Sequence, residues 1–211
     1  SEMCIRDSSL GTLKYRLGLV TGRFGAEHPL KACLECLRED RINHGVAYWH
    51  LSHQYPGVTL CPKHGTLIRI CSANRQWSDS AHWVLPAEHL IASVAEQPVC
   101  PTVVQTLKRL GHSVIELAKL GISEQFRPEN VTAAYNEAIR RLSVNTEACF
   151  DAQADLASFA SQLQPYLPLA SLPTTPKRAE TFIQSLTRTP RVYSHPLKHL
   201  ILITCIFGEF A

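Results

Sequence analysis

The sequence is most informative at first for what it lacks. No apolar run approaches the ~20 residues that a helical membrane span requires, which excludes a membrane protein of that kind. Cysteine is too sparse for a disulfide scaffold: eight among 211 residues, against the ~8–10% such scaffolds carry. No apolar segment of signal-peptide type stands near the N-terminus. The expected setting is therefore cytoplasmic and reducing, where cysteines hold metal more often than each other. Charge is scarce too: 18% of residues are charged and the net charge is +3, too little to announce a nucleic-acid binder. No H-E-x-x-H, G-x-S-x-G, G-x-x-x-x-G-K-[ST] or G-x-G-x-x-G occurs. With no visible nucleophile, base or phosphate loop, an enzyme is not expected. What is present suffices for a core: 45% of residues are apolar, which excludes wholesale disorder. The length allows one sizeable domain or two small ones.

The two ends stand apart. Residues 1–8, SEMCIRDS, show no periodicity and resemble translated adapter sequence, so they are set aside as extraneous, and Cys4 with them. Leu200, Ile201, Leu202, Ile203, Cys205, Ile206 and Phe207 form a strongly apolar segment just before the last residue, Ala211. The expectation is a C-terminally truncated fragment.

Between the ends the texture changes once. Residues 9–99 hold all three tryptophans and most of the glycines and histidines, with poor helical periodicity. They read as a small, turn-rich, metal-organised module. Residues 100–211 read as helices. Val103, Leu107, Leu110, Val114 and Leu117 step by fours and threes along one face. Gly111 is a weak point at which that helix could divide. A second helix follows Pro128, with Val131, Ala134, Tyr135, Ala138, Ile139 and Leu142 at helical spacing. Leu156, Phe159, Ala160 and Leu163 mark a third, and the prolines of residues 164–176 impose a loop. Residues 176–188 form a fourth, and His195 or Pro196 opens a fifth. The expected fold is mainly α: a small zinc-ribbon-like α+β module, then a bundle of about five helices.

The strongest chemical signal is Cys33-x-x-Cys36 followed, after 24 residues, by Cys61-x-x-His64. Structural zinc takes four Cys or His ligands in a tetrahedron, and two pairs at this spacing complete the shell. Four protein ligands leave no open position, so one structural Zn2+ is expected rather than a catalytic ion. The competing readings are a redox dithiol, which lacks a surrounding thioredoxin-like βαβ pattern, and plainly buried cysteines. Cys71, Cys100, Cys149 and Cys205 read as small buried hydrophobes, with Cys71 the one near enough to substitute as a ligand. His50 and His53 sit three apart, but with no carboxylate partner in view they read as packing or hydrogen-bonding groups rather than a second metal site. His28 and His44 are weaker ligand candidates still.

The string Cys33-x-x-Cys36 … Ala47-Tyr48-Trp49-His50 … His53-Gln54-Tyr55-Pro56-Gly57-Val58 … Leu60-Cys61-Pro62-Lys63-His64-Gly65 … Leu67 resembles the TniQ domain. A second string, Arg191 … His195-Pro196-Leu197-Lys198-His199-Leu200-Ile201-Leu202-Ile203 … Phe207-Gly208, is similar to a segment of TnsD proteins. The resemblance implies a target-site selector of a Tn-seven-like transposon. Such a protein binds double-stranded DNA at an attachment site or works with an RNA-guided effector complex. It then recruits an AAA+ ATPase regulator and, through it, the transposase. It also implies zinc on Cys33, Cys36, Cys61 and His64, and it admits a homodimer. The alternative is a zinc-ribbon module that binds protein without touching DNA. Family members are longer at the C-terminus, and they carry residues before the zinc module that the adapter-like string replaces here.

The charge is local. Residues 177–199 carry Lys177, Arg178, Arg188, Arg191 and Lys198 against Glu180 alone, a net of +4. With His195 and His199 adding charge at lower pH, these five cations are the candidate phosphate contacts.

Overall fold

The computed structural model describes residues 24, 30–71, 84–91, 100–120, 127–145, 151–188 and 194–208. Its elements in chain order are β1 (Lys31–Ala32), α1 (Leu34–His44), α2 (Leu51–Gln54), β2 (Arg69–Ile70), α3 (Pro101–Leu120), α4 (Pro128–Asn145), α5 (Ala152–Leu163), α6 (Pro176–Thr187) and α7 (Pro196–Phe207). Short 3₁₀ turns stand at Glu88–Leu90 and Leu169–Ser171. The fold is mostly helical, as the sequence predicts, and the described residues include one two-stranded sheet. The described residues group into two compact units, one within Gly25–Glu116 and one within Leu117–Ala211 that also takes in Phe24. The division falls inside α3.

In the first unit β1 and β2 pair antiparallel, Lys31 opposite Ile70 and Ala32 opposite Arg69. A side chain ties β1 to α2. Gln54 accepts from the Lys31 backbone N–H at 2.9 Å and donates to the Lys31 carbonyl at 2.8 Å. The Lys31 ammonium donates to the carbonyls of Tyr55 and Val58, both at 3.0 Å. Burial lowers its pKa to about 8, a cost the two carbonyl partners offset. Helix α1 ends at Gly45, whose φ of 74° lets its N–H turn back to the Arg41 carbonyl. Ala32, Leu37, Ala47, Cys71 and Ile91 make one small core cluster. Cys33, Cys36, Val58, Cys61 and Ile68 make another, against which Val114 and Ile115 of α3 pack. Helix α3 runs unbroken through Gly111, so the possible division there does not occur. A Cβ at Gly111 would sit 3.9 Å from the Val58 Cα, in ordinary contact.

In the second unit α6 packs on α4 and α5, and α5 on α7. Leu156, Ala157, Ala160 and Leu163 form the buried stripe of α5, and Ala179, Ile183 and Leu186 that of α6. Asp151 caps α5 by accepting the backbone N–H groups of Gln153 and Ala154 at 2.9 and 3.3 Å. The apolar C-terminal segment is α7, in which Leu197, Leu200, Ile201 and Leu202 are buried.

Candidate metal centre

Cys33 and Cys36 come from the start of α1. Cys33 is the extended residue just before the first turn, and Cys36 lies one turn on. The helix N-terminus carries about half a positive charge, which favours thiolate there. Cys61 and His64 come from a tight turn. Residues Leu60 and Leu67 bridge across it, Cys61 N–H donates to the Thr66 carbonyl at 2.8 Å, and Gly65 reverses the chain at φ 67°. The backbone N–H of His64 points at the Cys61 Sγ, 3.4 Å away.

The four ligand atoms lie within 4.8 Å of one another. Cys36 Sγ is 3.6 Å from Cys61 Sγ, and His64 Nδ1 is 3.6, 3.3 and 3.6 Å from the sulfurs of Cys33, Cys36 and Cys61. A tetrahedron with Zn–S arms of about 2.3 Å and a Zn–N arm of about 2.0 Å has edges of about 3.8 Å between sulfurs and about 3.5 Å between sulfur and nitrogen. These four separations lie close to those edges, and the four side chains can hold a metal ion. All three cysteines are buried. Among the described residues no other cluster of His, Cys, Asp and Glu has this form.

The electrostatics agree. Thiols this close cannot all ionise without a cation, because each negative charge disfavours the next. A hydrogen bond from Cys61 holds Cys33 down to about 4. Burial pushes Cys36 up to about 11, and Cys61 is pushed up by its bond to Cys33 and by burial. A divalent cation removes this conflict by stabilising every thiolate at once.

Several groups around the ligands escaped the sequence reading. His64 Nε2 lies 3.1 Å from a Glu39 oxygen, and Lys63 pairs with the other oxygen. That hydrogen bond raises the His64 pKa and turns Nδ1 toward the sulfurs, the carboxylate–histidine arrangement common behind metals. Thr66 Oγ1 lies 3.2 Å from Cys33 Sγ. His53 is buried, with Nε2 3.5 Å from Cys61 Sγ and 3.9 Å from Cys36 Sγ. The expectation that His50 has no carboxylate partner is overturned. Asp40, buried on α1, meets His50 Nε2 at 2.9 Å, while Tyr48 stacks on the ring at 4.5 Å. The carboxylate is ten residues away in sequence and reaches His50 because α1 exists. Cys71 belongs to the other core cluster and His44 is exposed; neither joins the four ligands. His28, Cys149 and Cys4 lie outside the described residues.

Residues 14–68 match the TniQ family model. This segment is similar to the TniQ domain. All four ligands fall within it, and TniQ is a family of non-catalytic adaptors associated with transposition. No curated protein matches the chain.

The five candidate phosphate contacts lie beyond the TniQ-like segment. Lys177 and Arg178 are exposed in the first turn of α6, and Arg188 is exposed at its other end, about 15 Å away at 1.5 Å per residue. Lys198 is half-buried, its ammonium 5.8 Å from the centre of the Phe182 ring. Arg191 lies outside the described residues. His195 and His199, expected to add charge at lower pH, are each engaged inside the helical unit. His195 caps α7 by accepting the Leu197 N–H and packs against Phe24, and His199 bonds the Tyr135 hydroxyl. Burial lowers both pKa values, that of His195 to about 4. No described helix is long and apolar enough to cross a membrane.

Proposed function

We propose that the chain is a non-enzymatic, cytoplasmic target-site adaptor in DNA transposition, its TniQ domain held together by one structural Zn2+ on Cys33, Cys36, Cys61 and His64. The observation that carries this reading is the convergence of three sulfurs and one imidazole nitrogen, all within 4.8 Å of one another, inside a segment that matches the TniQ family model. Three thiolates and an imidazole suit zinc in softness and geometry. Four protein ligands leave no position for a reactive water, so the ion organises a turn-rich unit instead of reacting. The partners are double-stranded DNA, an AAA+ ATPase regulator that brings the transposase, and in some settings an RNA-guided effector complex; the chain acts alone or as a homodimer. Lys177, Arg178, Arg188 and Arg191 are the phosphate contacts, and Lys198, spent partly on Phe182, contributes least.

Binding to attachment-site DNA across a salt series tests the DNA contact. Each lost phosphate contact flattens the slope of log affinity against log salt by about 0.9. The double change Arg188→Glu and Arg191→Glu is expected to weaken binding and flatten the slope; an unchanged slope removes this patch. The second reading, a protein-binding module without DNA contact, is favoured by the separation of the cations along α6 and by exposed Ile42 and Leu51. Capture of the ATPase to equal extent with and without DNA, and no DNA binding by the chain alone, selects it.

A further inference from the structure

Among the described residues, His53 is a buried imidazole set against the candidate metal ligands that the ligand set leaves unused. Its Nε2 lies 3.9 and 3.5 Å from the sulfurs of Cys36 and Cys61, and the residue is 2% exposed. His64 Nδ1 reaches all three sulfurs, Cys33 included. His53 is hydrogen-bonded to the sulfurs of Cys36 and Cys61 and falls outside the four-ligand group. It therefore approaches the cluster from outside. We propose that His53 is a positioning residue that donates its Nε2–H to the thiolates of Cys61 and Cys36, drawing off negative charge and fixing the metal's sulfur ligands. The inference rests on the reading of Cys33, Cys36, Cys61 and His64 as a metal site.

The tautomer follows from the surroundings. A neutral imidazole carries one N–H, and thiolates accept hydrogen bonds but donate none. A bare Nε2 facing them would set lone pair against lone pair, so the proton belongs on Nε2. Nδ1 is then the bare nitrogen, and it is the atom left buried without a hydrogen-bond partner. A ring that leaves Nδ1 unmatched in order to aim Nε2 at two sulfurs is held there by those sulfurs. The neighbouring ring of His50, 4.9 Å away between centroids, is tied to Asp40.

The test uses the whole chain loaded with Co2+, whose sulfur-to-metal charge-transfer band reports electron density on the thiolates. His53→Phe keeps a ring and deletes the donor, whereas His53→Gln places an N–H near the same point. The wild type should bind one Co2+ per chain. His53→Phe should still bind one, with its band moved to longer wavelength and its affinity about tenfold weaker, and His53→Gln should recover both. If His53→Phe does not fold, nitrogen NMR of the wild type decides: Nε2 protonated and Nδ1 bare is expected, and the opposite tautomer overturns the proposal. No Co2+ uptake by the wild type defeats the metal reading itself. Normal uptake with a band and affinity unchanged in His53→Phe defeats only the role of His53.

Discussion

Glu39 joins the metal cluster to the protein surface through one carboxylate, accepting from His64 on one oxygen and pairing with Lys63 on the other. The Lys63 pair is exposed and adds little stability. The His64 contact fixes which ring nitrogen faces the sulfurs. Glu39→Gln is therefore expected to lower metal affinity about tenfold with little change in the fold, measured by competition against a chromophoric chelator. The clustering of Cys33, Cys36, Cys61 and His64 was legible in the sequence, because a two-residue gap repeated across 24 residues has few other uses. Glu39, Asp40 and the placement of His53 were not. Each depends on α1, and LECLREDRINH buries only Cys36, Leu37 and Asp40, too few apolar positions to announce a helix.

Among elements, the contrast runs the other way for residues 100–211. The helices α3 to α7 stand where the apolar spacing places helices, and prolines open four of them, α3, α4, α6 and α7. Two caps make predictions. Asp151→Ala removes both cap bonds of α5 and should cost about 1 kcal/mol by denaturant unfolding. His195 caps α7 with a neutral ring. Its folded pKa of about 4 lies below the ordinary 6.5, so between those values the unfolded chain binds the proton and the folded chain does not. Stability is then full above about pH 6.5 and falls as pH drops toward 4; His199 acts in the same direction. Thermal unfolding should show this fall, and His195→Asn, which keeps a capping acceptor, should make it shallower. A pH-independent midpoint between 6.5 and 4 would contradict the account.

On the scale of the whole molecule, each unit has its own buried residues, and among the described residues one unit holds a cluster that could bind a metal. The helical unit rests on buried leucines, whereas the described residues of the other unit form two small clusters and a sheet of two two-residue strands. Structural zinc contributes on the order of 10–16 kcal/mol in small peptides, more than such a core supplies. Chelation should thus strip hydrogen-exchange protection from residues 31–71 while α5 and α6 keep theirs. Loss of protection in both units together would mean that the metal is not what distinguishes them. The most direct test of the central claim is X-ray absorption at the metal edge of the purified chain. One zinc per chain is predicted, with three sulfurs at about 2.3 Å and one nitrogen at about 2.0 Å. A site with oxygen ligands, fewer than three sulfurs, or no bound zinc would contradict it.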